Sequence, residues 1–132
     1  MTPTLRLELP IRTVSVANLR EHHMARARRA RSQRQAVRLA LCGLGVPHPP
    51  VVVRLTRLAT KSLDGDNLQG AMKNIRDEIA AWLRVDDADP RVSWQYDQEI
   101  RKGECMLRVF SRSGHMKRAA DMRVRIEVVQ CS

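Results

Sequence analysis

The sequence predicts an α+β fold, a single small domain in which a mixed β-sheet carries one basic and one amphipathic helix. Three observations lead there. Two-residue alternation of apolar and polar residues recurs in several short stretches, two longer stretches have helical periodicity, and 132 residues of which 43% are hydrophobic suffice for one packed core. A second core is not expected, so residues 1–132 are read as one unit.

Taken in order, Leu5, Leu7 and Leu9 alternate with Arg6 and Glu8, which marks a strand within residues 4–16. Pro10 interrupts it and assigns it to a sheet edge. From Ala17 to Leu44 the pattern turns helical, with Leu19, Met24, Val37, Leu39, Ala40 and Leu41 set among seven arginines, Arg20, Arg26, Arg28, Arg29, Arg31, Arg34 and Arg38. The first half of that helix is too polar to bury. Gly43 to Pro50 is a Gly- and Pro-rich linker, and Val51 to Ala59, β-branched and mostly apolar, reads as a central strand aimed at Asp64. Asn67 to Leu83 reads as one amphipathic helix, because Leu68, Ala71, Met72, Ile75, Ile79, Trp82 and Leu83 recur every three or four residues.

Beyond an acidic turn, Val92, Trp94, Tyr96 and Ile100 alternate with Ser93, Gln95, Asp97 and Glu99 as a half-buried strand. Arg101-Lys102-Gly103 follows as a turn, and Cys105 to Phe110 as a strand. A basic loop with Arg112, His115, Lys117 and Arg118 leads to a last strand through Met122, Val124, Ile126 and Val128. These strands are expected to form a meander.

The net charge of +10 calls for an anionic partner, and its arginine-rich make-up favours nucleic acid, since guanidinium groups bind phosphate in bidentate fashion. Arg20, Arg26, Arg28, Arg29, Arg31 and Arg34 would lie along phosphates, joined by Lys61, Lys73, Arg112, Lys117 and Arg118. A solvated helix face is the plainer reading of a charge run. Against it, Glu21 is the single acid facing seven arginines in that segment. No apolar run approaches the roughly 20 residues of a membrane span, and the N-terminus lacks the pattern of a secretory signal. A cytoplasmic protein is expected. Cys42, Cys105 and Cys131 are widely spaced and are read as reduced packing residues. The Cys42 and His48 pair has nothing to orient it for catalysis, His22-His23 belongs to the basic segment, and the few aromatic residues match core faces.

Two acidic clusters stand out against this charge. Asp64-Gly65-Asp66-Asn67 sits at a helix mouth, and Asp86-Asp87-Ala88-Asp89 precedes Pro90. Asp66 with Gln69 three residues on fits a capping box, and the second cluster fits a polar turn. One cap needs one acid, however, and two close carboxylates repel unless a cation lies between them. Mg²⁺ commonly takes one or two carboxylates with water and phosphate oxygens. An EF-hand is excluded, since Leu68, Gln69 and Ile75 fall where ligand, glycine and bidentate glutamate belong. An unbroken helix from Asn67 to Leu83 would be roughly 25 Å long, and the residues from Arg84 to Asp87 reach at most about 14 Å. Asp87 would then meet Asp64 and Asp66 of a partner chain across a two-fold axis.

Asp64-Gly65-Asp66-Asn67-Leu68-Gln69, the following helix, and Trp82-Leu83-Arg84-Val85-Asp86-Asp87 resemble the RusA family of phage and prophage Holliday-junction endonucleases. The similarity is specific over about residues 51–100. It implies a homodimer that binds branched, four-way DNA and cuts it symmetrically in recombination or repair, with Mg²⁺ or Mn²⁺ at a site shared between chains. In those terms Asp64, Asp66 and Asp87 hold the metal with Asp86 beside them, Lys73 adds electrostatic stabilisation, and a phage-encoded copy would act in the bacterial host. The family often carries a lysine directly after the residue matching Gln69, whereas Gly70 stands here, so Lys73 or Lys61 would have to replace it. A DNA-binding protein that does not cut, and a flap or branched-DNA nuclease, are the competing readings.

Overall fold

The computed structural model describes residues 4–15, 22–101, 106–110, 116–120 and 122–131, the strands at 106–110 and 116–120 by their backbone. The fold is α+β, as expected. The main sheet holds β1 (Leu5–Leu9), β2 (Val51–Ala59), β3 (Val92–Ile100) and β6 (Arg123–Gln130) in the order β1-β6-β2-β3. Helix α1 (His23–Leu41) follows β1, and α2 (Gly65–Ala71) and α3 (Lys73–Leu83) connect β2 to β3. A hairpin of β4 (Met106–Phe110) and β5 (Met116–Ala120) makes a second sheet.

The expected edge strand and central strand are both found. The meander is not. β3 pairs parallel to β2, while β6 inserts antiparallel between β1 and β2. A parallel pair needs a crossover longer than any hairpin loop, and α2 with α3 supplies it. Alternation had identified the strands, but it reports which face a side chain takes and not which strand lies alongside.

Register builds the inner face in three rows. Leu5, Val128, Val53 and Trp94 lie side by side, then Leu7, Ile126, Leu55 and Tyr96, then Leu9, Val124, Arg57 and Gln98. The first two rows are apolar or aromatic and pack with Leu68, Met72, Ile75, Ile79 and Leu83 of α2 and α3. Val37 and Leu41 bring α1 onto the same core. The third row turns polar where the sheet meets the loop leading to Asp64. On the opposite face Arg101 pairs with Glu8 at 3.0 Å and Glu99 at 3.3 Å, and Arg125 pairs with Glu99 at 3.2 Å, as suits a solvated antiparallel face. Ile100, expected inward, is instead 41% exposed.

The single helix from Asn67 to Leu83 is two helices. Met72, at φ −96° and ψ −1°, ends α2 and starts α3, and its amide is shared between the carbonyls of Leu68 and Gln69 at 3.2 Å each. Gly70 lies in the turn before the break, where glycine costs a helix about 1 kcal/mol against alanine. The apolar stripe nevertheless continues through Leu68, Met72, Ile75 and Ile79, so periodicity gave no sign of the interruption. Among the described residues no helix is long and apolar enough to cross a membrane.

Candidate functional site

The first acidic cluster rests on a loop braced from the sheet. Gln98 donates from Nε2 to the Leu63 carbonyl at 2.6 Å and accepts from the Leu63 amide at 2.9 Å, engaging both main-chain groups of the residue before Asp64. Arg57, 4% exposed, donates from Nε to the Thr13 hydroxyl at 2.9 Å and from Nη1 to the Lys61 carbonyl. Burial lowers the pKa of that guanidinium, which still stays charged because arginine starts so high.

The carboxylates above this brace do little for the fold. Asp64, not Asp66, is the N-cap, and it caps through its main chain, whose carbonyl accepts from the Leu68 amide at 2.7 Å. Its side chain makes no cap hydrogen bond and, among the described residues, accepts only from Asn67 Nδ2 at 3.4 Å. The capping box expected from Asp66 and Gln69 is therefore absent. The helix starts two residues earlier than that motif requires, placing Asp66 exposed in the first turn.

A left-handed residue launches the second cluster. Arg84 ends α3 at φ 59° and ψ 42°, and the Val85 amide reaches back to the Ala80 carbonyl at 3.1 Å, as in a Schellman motif. Asp86 Oδ1 accepts from the Ala88 amide at 3.0 Å, which holds its carboxyl below the usual carboxylate range. Asp89 pairs with the Arg91 guanidinium at 2.9 Å and accepts from the Arg91 amide, and these hold its carboxyl low in turn. Asp86 and Asp89 thus build the turn. Asp87 is held differently, with its carbonyl accepting from Trp94 Nε1 at 3.1 Å and from Arg76 Nη2 at 2.8 Å, and its side chain 49% exposed.

Within one chain, no three acidic, histidine or cysteine side chains among the described residues converge as a metal cage. Topology explains the separation of the clusters. Val51 lies beside Val92 and Ala59 beside Ile100, so Asp64 follows one end of the parallel pair and Asp87 precedes the other, strands of roughly 26 Å apart at about 3.3 Å per residue. This replaces the argument from one unbroken helix. Asp64 and Asp66 still suit a hard divalent cation by themselves, since they are exposed oxygen donors whose one described hydrogen bond is the long contact from Asn67.

The basic surface divides in two. Arg34 and Arg38 of α1 bind Glu78 of α3 at 3.1 and 2.8 Å, and Glu78 is 7% exposed. The hydrogen bond from Arg38 pulls the Glu78 carboxyl below its ordinary range against the effect of burial. The expectation that these arginines go largely without acidic partners is corrected for two of them, because Glu78, distant in sequence, pairs with both Arg34 and Arg38. Arg26, Arg28 and Arg31 are exposed and Arg29 is half-buried. Between the helices His23, Arg26, Arg29, Gly70, Lys73 and Asn74 line a groove of about 440 Å³. A Cβ on Gly70 would meet nothing within 4 Å. Asn74 donates to Gln33 at 2.9 Å and Gln33 donates to the Arg12 carbonyl at 2.7 Å, which ties α1 to α3 beneath that groove.

Arg20, Arg112, Cys105 and the turn at Lys102 lie outside the described residues. Lys117 and Arg118 belong to β5, opposite Val109 and Arg108, and not to a loop. Lys61 is exposed. Cys42 is a free exposed thiol, contrary to the packing role expected of it. Sequence reasoning missed Arg57, Gln98, Arg76 and Glu78. Two had a readable signal, since Arg57 stands in an apolar central strand and Gln98 continues the inward positions of Val92, Trp94 and Tyr96. No protein-family model matches this chain, and no curated protein matches it.

Proposed function

We propose that the chain is a Mg²⁺-dependent structure-specific endodeoxyribonuclease that acts as a homodimer on four-way DNA junctions. The observation that carries this reading is the pair of exposed carboxylates, Asp64 and Asp66, left almost unused by the fold on a braced loop of a protein with net charge +10. Asp64 and Asp66 would hold the cation, Mn²⁺ being an alternative to Mg²⁺, with Asp87 of a second chain completing the site. The bound cation supplies a water of lowered pKa and neutralises charge on the phosphate. The protein's own part is placement. Gln98 and Arg57 keep the Asp64 loop fixed, the exposed arginines of α1 and Lys73 attract the phosphodiester backbone, and the separation of the acidic clusters is supported by the parallel register of β2 and β3. Phosphate contacts of this kind make affinity fall steeply with salt.

The test is incubation with a synthetic four-way junction, with and without Mg²⁺. Paired symmetric nicks that vanish in Asp66→Asn are expected, and tight binding without cleavage in either Mg²⁺ or Mn²⁺ overturns the enzyme reading. One observation favours a second reading, a DNA-binding protein that does not cut. Gly70 lacks the lysine that the resemblance leads one to expect, and Lys73 stands at the start of the next helix, beyond the break at Met72. Flap substrates in the same assay separate junction cleavage from a broader branched-DNA activity.

A further inference from the structure

Asp87 is held by a residue that neither the acidic clusters nor the basic surface accounts for. Arg76 projects from α3 and donates from Nη1 to the Tyr96 hydroxyl at 2.8 Å and from Nη2 to the Asp87 carbonyl at 2.8 Å. Its guanidinium carbon lies 4.8 Å from the centre of a Trp94 ring, and Trp94 donates from Nε1 to that same Asp87 carbonyl at 3.1 Å. Its Nε is buried without a hydrogen-bond acceptor and stands 3.9 Å from Asp87 Oδ2, just beyond hydrogen-bond length.

These contacts restrict Asp87 in a particular way. Two donors on one carbonyl pin its main chain, while the left-handed Arg84 and the turn of Asp86 onto Ala88 pin the segments on either side. The remaining freedom is rotation of the side chain, and the Arg76 Nε biases that without closing onto it. Trp94 and Tyr96 are successive inward residues of β3, so the clamp refers Asp87 to the sheet and not to its own loop. A lysine could keep the charge, but a single ammonium lacks the planar fork that spans a hydroxyl and a carbonyl together.

We propose that Arg76 is a positioning residue that sets the direction in which Asp87 presents its carboxylate to a divalent cation. This rests on the metal-dependent reading above. The test measures Mn²⁺ affinity of the full chain by the electron paramagnetic resonance of free Mn²⁺, beside junction binding in EDTA and thermal melting. Asp66→Asn is expected to abolish tight Mn²⁺ binding. Arg76→Lys is expected to weaken it about tenfold, the usual scale for a group that orients a metal ligand, while junction affinity in EDTA stays unchanged. If Arg76→Lys does not fold, Tyr96→Phe decides, because it removes one anchor of the same guanidinium and should shift Mn²⁺ affinity in the same direction by less. Unaltered Mn²⁺ affinity in the folded variant, with Asp66→Asn still defective, overturns the positioning role alone. Wild-type protein that neither binds Mn²⁺ nor cleaves overturns the functional reading and this inference with it.

Discussion

The two acidic loops of this molecule are stabilised by opposite means. At Asp64 and Asp66 the sheet holds the backbone through Gln98 and Arg57, and the carboxylates are left with little to do. At Asp86 and Asp89 the carboxylates themselves hold the backbone, accepting amides two residues ahead. Asp87 lies in the second loop but is treated like the first, since its carbonyl is gripped and its side chain left half-exposed. An acid whose oxygens already serve a turn is a poor candidate ligand, and the number of acids in a cluster says little about how many can receive a cation.

That contrast can be broken in a graded series. Asp66→Asn should have the largest effect, lowering junction cleavage by about 100-fold or more, the scale seen when one group stabilising a developing charge is removed. Its melting temperature should stay near that of the wild type, because the carboxylate supports no described hydrogen bond. Gln98→Ala comes next. It frees both main-chain groups of Leu63, so it should cost about 1–2 kcal/mol of stability by chemical denaturation and raise the Mg²⁺ needed for half-maximal cleavage about tenfold.

Glu78→Gln is smaller and confined to stability. The folded pKa of Glu78 lies below its unfolded one, so its contribution is complete above the ordinary glutamate range near about 4.3 and is lost as pH falls through the lowered folded value. Its partners are 44% and 69% exposed, which solvent screening discounts to about 1 kcal/mol at pH 7. Denaturation of the two proteins should converge in acid. Asp89→Asn should do least, leaving cleavage unchanged and lowering the melting temperature slightly, and lost cleavage there would refute the division between turn-building and ligand acids.

Much of the fold was legible because burial writes itself as period. Val124, Ile126 and Val128 alternate and are fully buried, and Val51 to Ala59 runs mostly apolar because most of that strand is buried, residues of both faces included. Pairing was not legible, since an alternating strand reads the same beside a parallel or an antiparallel neighbour. The break at Met72 was hidden because the buried stripe crosses it unchanged. The acidic pairs were visible by their incongruity with the charge around them, but their supports were not. Glu78 meets Arg34 and Arg38 across more than forty and forty residues of chain respectively, and Gln98 reaches Leu63 across thirty-five. Local patterning carries no record of such distances.

Gly70 has a consequence for how such a chain can change. It faces open space in an ordinary helical turn, so a lysine introduced there meets no steric objection and should stabilise α2 by several tenths of a kcal/mol through helix propensity. Gly70→Lys is expected to melt higher, and on the nuclease reading to cut faster at equal Mg²⁺. On that same reading, descent could move a protein of this shape between grasping branched DNA and severing it by altering one position that the fold does not need, while the scaffold stays as it is.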